Sequence, residues 1–149
     1  MAHQRVDLVL PAPPAEHAVV AHIGLDVVGA HEQLQAARQV LRGQGLVQQG
    51  DLAGALSEFN KALDVNKNSS LAHYRVADIF FLQSNYQAAA NEFREVLNGD
   101  IEPKWTEVWA HINLGKIFDI TGQRERAVNE YNLAVRTRDD TQGAQEEAA

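Results

Sequence analysis

Five residue columns recur three times in register: Gly43, Gly50, Ala55, Phe59 and Ala62, then Ala77, Ser84, Ala89, Phe93 and Val96, then Gly115, Gly122, Ala127, Tyr131 and Ala134. A pattern of small and aromatic residues that keeps its spacing through three copies requires stacked supersecondary units, not one closed domain. Gly43, Ala77 and Gly115 fall on the first helix of each unit, and Ala55, Ala89 and Ala127 on the second. Side chains this small let two helix backbones approach closely. Gly50 and Gly122 close the first helix, where a left-handed residue is cheapest for glycine, and Ser84-Asn85 takes that place in the second unit. Leu56, Phe59 and Leu63, then Ala90, Phe93 and Leu97, then Val128, Tyr131 and Val135, read as the buried stripe of each second helix.

These residues resemble the tetratricopeptide repeat (TPR), a helix-turn-helix unit of about 34 residues. QGDLAGALSEFNKALDVNKNS, SNYQAAANEFREVLNG and INLGKIFDITGQRERAVNEYNLAV each supply the turn, the alanine of the second helix, the following aromatic and the next small residue. The chain departs from the family at its tryptophan position, here Gln39, His73 and His111, and at its closing proline, here Lys67, Ile101 and Asp139. The resemblance spans residues 36–140 and implies an all-α fold, an α-solenoid of three TPR-like units. We expect repeat helices near 33–48, 52–65, 70–82, 86–98, 104–120 and 124–138.

The domain organisation follows from where the pattern stops. Residues 33–140 are the three-repeat domain, preceded by a tail and a capping helix within 1–32 and followed by a capping helix or tail over 141–149. In the first part, Val6 to Leu10 reads as extended, and Pro11, Pro13 and Pro14 break it. Val19, Val20, Ile23, Val27 and Ala30 then share one helical face, although Gly24, Gly29 and the β-branched residues keep a strand open as the alternative. At the far end Thr141 can cap a short, mostly polar helix. Phe59 to Phe93 is 34 residues and Phe93 to Tyr131 is 38. Four residues are close to one helical turn, so an added turn at the start of the fifth helix keeps later side chains in phase. Pro103 then suits a first-turn position, and Trp105, Trp109 and Ile112 form one stripe. Packing of Trp105 on the neighbouring repeat is the alternative.

Composition narrows the function classes. The chain has no cysteine, so disulfides, thiolate metal sites and cysteine nucleophiles are excluded. A formal charge of −7, with thirteen scattered basic residues, argues against nucleic acid. The longest apolar run, Ala18 to Ala30, is interrupted by His22 and Asp26 and is too short to span a membrane. With no signal-peptide pattern the default location is cytoplasmic. No histidine pair has the spacing of a zinc helix, and no phosphate loop or Ser/His/Asp grouping stands out. We therefore expect no cofactor, no metal and no enzymatic activity. Asn68-Ser69-Ser70 is a formal glycosylation triplet of the kind chance supplies.

The resemblance places the first helix of each unit on the inner face of a curved stack. The inward positions then include Val40, Gln44, Tyr74, Arg75, Asp78, Phe81, Trp109, Ile112, Asn113 and Lys116, with Trp105 joining through the inserted turn. Val47, Leu71 and Leu82, and Leu41 and Ile120, also fall inward. Such an apolar and aromatic groove implies a protein-interaction scaffold that binds an apolar peptide or helix. The alternative is an assembly module whose groove is buried by self-association, as in a homodimer, or by a terminal segment. Family members that grip chaperone C-termini share a set of Lys, Asn and Arg residues. The corresponding positions here are Val40, Gln44, Arg75, Trp109 and Asn113, so that carboxylate clamp is absent.

Overall fold

The computed structural model describes residues 27–149. Helices follow one another as α1 (Val27–Gln48), α2 (Leu52–Val65), α3 (Ser70–Leu82), α4 (Tyr86–Asn98), α5 (Trp105–Ile120) and α6 (Arg124–Thr137). A 3-10 turn (Thr141–Gly143) and a five-residue helix α7 (Ala144–Ala148) complete the chain. Among the described residues there is no strand. α1 starts six residues before the expected 33, whereas each later repeat helix starts and ends within one residue of expectation. The extended stretch Val6–Leu10, and the Val19, Val20 and Ile23 part of the expected capping helix, lie outside the described residues.

Each helix pairs with its successor inside a unit, α1 with α2, α3 with α4 and α5 with α6, and units join through α2 on α3 and α4 on α5. The first helices also adjoin, α1 with α3 and α3 with α5, so they line one face of the stack. Turn chemistry sets these hairpins. Gly50 and Gly122 sit at φ +84° and +80°, and Ser84 takes the left-handed region at +59° in the middle unit. Asp51 Oδ1 accepts the Gly54 N–H at 2.9 Å and so caps α2. Asn85 caps α4 through Ala88 at 3.4 Å, while Gln123 in the same column leaves α6 without a side-chain cap.

The small columns meet specific rings. A Cβ at Gly43 would collide with the Phe59 ring, and one at Gly115 with the Tyr131 ring, so glycine on the first helix seats the aromatic of the second. Ala55, Ala89 and Ala127 are fully buried. Three residues of the insertion extend α5 at its start, since Trp105 lies three positions ahead of Val108, the column partner of Ser70. Pro103 precedes the helix, and its carbonyl accepts from the Thr106 amide at 3.0 Å and hydroxyl at 2.7 Å.

The last unit departs from the expected buried stripe. Val128 and Val135 are 40% and 41% exposed, and Tyr131 is only partly buried. Their column partners Leu56, Ala90, Leu63 and Leu97 all pack on the core, because a following unit covers them. Only α7 follows α6, and five residues do not cover that face. The C-terminal segment, expected as a polar solvating cap, is tied in more firmly. Ala144 and Ala148 are buried, and Gln145 Nε2 donates to the carbonyls of Ala134 and Asp139 at 3.2 and 2.9 Å.

Candidate functional site

The inner face is built by α3 and α5, with α1 alongside. Leu71, Tyr74, Arg75 and Asp78 recur on α3 at helical spacing, and Trp105, Trp109, Ile112, Asn113 and Lys116 do so on α5. Tyr74 is the junction of the two helices. Its ring makes edge contacts with Phe93 at 5.4 Å and Trp105 at 5.1 Å, and its hydroxyl accepts from Asn113 Nδ2 at 2.9 Å. The Arg75 guanidinium lies 5.6 Å from the Trp105 ring centre and 3.8 Å from Asp78 Oδ2. Five expected site residues, Tyr74, Arg75, Asp78, Trp105 and Asn113, therefore form one cluster.

Burial decides the electrostatics of that cluster. Asp78 is buried, which pushes its carboxyl up to about 8, with Arg75 pulling the other way. Burial likewise raises Tyr74, and Asp78 adds to the rise. Asp78 Oδ2, Trp105 Nε1 and Gln44 Oε1 are shielded from solvent and make no hydrogen bond among the described residues.

Other expected site residues are placed differently. Trp109 is 2% exposed, and its indole N–H donates to the Thr141 carbonyl at 3.0 Å. Lys116 stands 5.9 Å from the Trp109 ring and pairs with Glu147 at 3.0 Å, so the C-terminal segment covers this end of the face. Phe81 turns toward the start of α4 and meets Tyr86 at 5.5 Å. Val40 and Ile112 are buried, whereas Leu41 and Ile120 are exposed. The aromatic side chains expected to line an open groove are thus buried among neighbouring helices, because each reaches across to the next element.

Models of the tetratricopeptide repeat match residues 40–103 and 110–141. The chain belongs to the tetratricopeptide repeat family. No curated protein matches it. TPR units mediate protein–protein interaction and scaffolding, and the family is non-catalytic. No helix among the described residues is long and apolar enough to cross a membrane.

Two features of this TPR stack escaped the sequence reading. His73 Nδ1 lies 2.8 Å from Glu92 Oε1, and His111 Nδ1 lies 2.8 Å from Glu130 Oε1, each pair joining the two helices of its unit. Glu58, Glu92 and Glu130 are one column and Gln39, His73 and His111 another, so equal spacing of the acids was a usable signal for the two His–Glu pairs. The second feature is a cavity of about 570 Å³ beside α1, described below. It depends on contacts about thirty residues apart, which no local pattern announces.

Proposed function

We propose that this TPR chain is a protein-interaction scaffold whose inner face takes an apolar peptide or helix, with Val40, Gln44, Tyr74, Arg75, Asp78, Phe81, Trp105, Trp109, Ile112, Asn113 and Lys116 as the region engaged. The observation that carries this reading is the pair of shielded polar atoms on that face, Trp105 Nε1 and Gln44 Oε1, which make no hydrogen bond among the described residues. A buried polar atom without a partner costs free energy, and the donors and acceptors of a bound backbone would satisfy it. The same reading needs no cofactor, nucleic acid or membrane, and puts the chain in the cytoplasm.

Quantitative affinity capture compares the wild type with Asp78→Asn and Gln44→Ala, both chosen to keep side-chain volume near the original or smaller. A specific protein retained by the wild type and lost from both variants is the expected result. Identical captured sets would overturn the assignment to this face. The second reading, an inner face closed by the chain itself or by a second copy, draws support from the burial of Tyr74 and Trp109 and from the Thr141 carbonyl seated on Trp109. Light scattering tests the second copy, because a tight dimer at working concentrations favours self-association, whereas a monomer that captures no protein favours closure by the chain itself.

A further inference from the structure

α1 and the two turns that lead into α3 and α5 border the cavity of about 570 Å³, which is half open to solvent. Its floor is Ala36, Ala37 and Val40 of α1, Leu71 of α3 and Pro103. Volume and apolar lining match a small-ligand or side-chain pocket. The walls are fixed by bonds between the two turns. Ser70 Oγ donates to the Val96 carbonyl at 2.7 Å and accepts the Ile101 N–H at 2.9 Å. Asp100 Oδ1 accepts the Ser70 and Glu102 amides, each at 3.1 Å, and the Asp100 amide donates to the Asn68 carbonyl at 2.9 Å. Gly99 permits this closeness, since a Cβ there would strike the Asn68 carbonyl and Ser70 Oγ. A cavity held open this way needs little reorganisation to receive a guest.

The rim supplies a sign. Asp100, Glu102 and Lys104 border the cavity, with neutral Gln33, Asn66 and Ser69 completing it. Two carboxylates face one ammonium, and the whole chain carries −7. Glu102 and Lys104 are exposed and make no ion pair among the described residues. An anionic guest meets net repulsion there, whereas a cation meets attraction.

We infer that this cavity receives a lysine or arginine side chain of a peptide partner, with the aliphatic stem on the Ala36, Ala37, Val40, Leu71 and Pro103 floor and the charged end at Asp100 and Glu102. The inference rests on the reading of the inner face as a partner surface, because Val40 and Leu71 belong to both. It adds what that reading lacks, the chemistry of the guest. A long basic side chain buries its methylene stem on apolar surface while its charge stays near water, which is the division this cavity offers.

The test uses the full chain and three probes of one shape, benzylammonium, benzyl alcohol and phenylacetate, followed by methyl NMR shifts of Val40 and Leu71. Saturable shifts at both methyls are expected, with benzylammonium about fivefold tighter than benzyl alcohol, as suits one exposed charge contact, and phenylacetate weakest. Glu102→Gln should bring benzylammonium and benzyl alcohol together. Ala36→Phe, which fills the floor, should abolish the shifts for all three; if that variant unfolds, the Glu102→Gln comparison decides alone. Equal affinities for the three probes in the wild type would overturn the charge assignment, and absence of shifts at Val40 and Leu71 up to probe solubility would overturn the site. Shifts of these methyls on raising protein concentration alone would identify a second copy as the guest and also sink the proposal. None of these outcomes depends on the capture experiment, so the cavity can fail while the scaffold reading stands.

Discussion

The second and third units place a histidine and a glutamate in the same columns, yet the two histidines are held differently. His73 has Glu92 Oε1 2.8 Å from Nδ1 and the Lys67 carbonyl 2.9 Å from Nε2. Both neighbours accept, so a ring that satisfies both carries two protons and a positive charge. Burial opposes that charge, but the Glu92 contact, the Lys67 carbonyl and the nearby Glu95 outweigh it and raise the pKa above 6.5. His111 meets Glu130 alone among the described residues. The same contrast appears in packing, where Ala90 and Leu97 join the core and Val128 and Val135 do not. Position in the stack, not residue type, decides what a column does, because each unit is completed by the connection before it and the helix after it.

The largest test of that contrast is bulk in the small column. Ala89→Leu should cost about 1–3 kcal/mol in chemical denaturation, since α4 is packed on both sides and cannot yield. Ala127→Leu should cost less, as α6 can shift toward its uncovered face. Equal losses would show that the exposed face of α6 gives it no freedom.

Removing residues 142–149 comes next. The truncation removes the Gln145 bonds to the Ala134 and Asp139 carbonyls, the Lys116–Glu147 ion pair and two buried alanine side chains, Ala144 and Ala148, so about 1–2 kcal/mol of stability should go. A thermal midpoint unchanged by the truncation would return this segment to the status of a tail.

pH sharpens the histidine comparison. A raised folded-state pKa means that the stabilisation from His73 is complete below about 6.5 and fades as pH rises through the folded value. Denaturation free energies should therefore fall from slightly acid to alkaline pH, with buried Asp78 adding to the fall in the same direction, and His73→Gln should remove its share of that slope. An unchanged slope in His73→Gln would show that the Glu92 and Lys67 contacts do not hold this ring charged.

The smallest effect concerns the caps. Asp51→Ala should cost about 1 kcal/mol, whereas Gln123→Ala, which removes no cap bond, should be near neutral. Gln123→Asp should gain a few tenths of a kcal/mol, or up to about 1, by giving α6 what α2 already has.

Helix boundaries were legible because turns and small columns are local signals. Gly50, Gly122 and Asp51 act within four residues of their own position, and the alanine columns fall at fixed distances from them. α1 began earlier than expected, since nothing between Val27 and Gln33 carries the repeat pattern. Burial of the inner-face aromatics was not legible. Tyr74 meets Trp105 and Asn113 across thirty or more residues, and hydropathy cannot tell an aromatic that faces a groove from one that bridges two helices. Val128 and Val135 share the apolar character of their column partners, so their exposure follows from what packs beside them, which among the described residues is only the five-residue α7.

That uncovered face also has a dynamic consequence. A helix followed by only five helical residues can leave its place while dragging that short segment alone, so amide hydrogens of α6 should exchange with solvent at a lower opening free energy than those of α4. Breathing then starts at α6 and moves inward toward α3 and α4, one hairpin at a time, while the joint between the first two units holds longest.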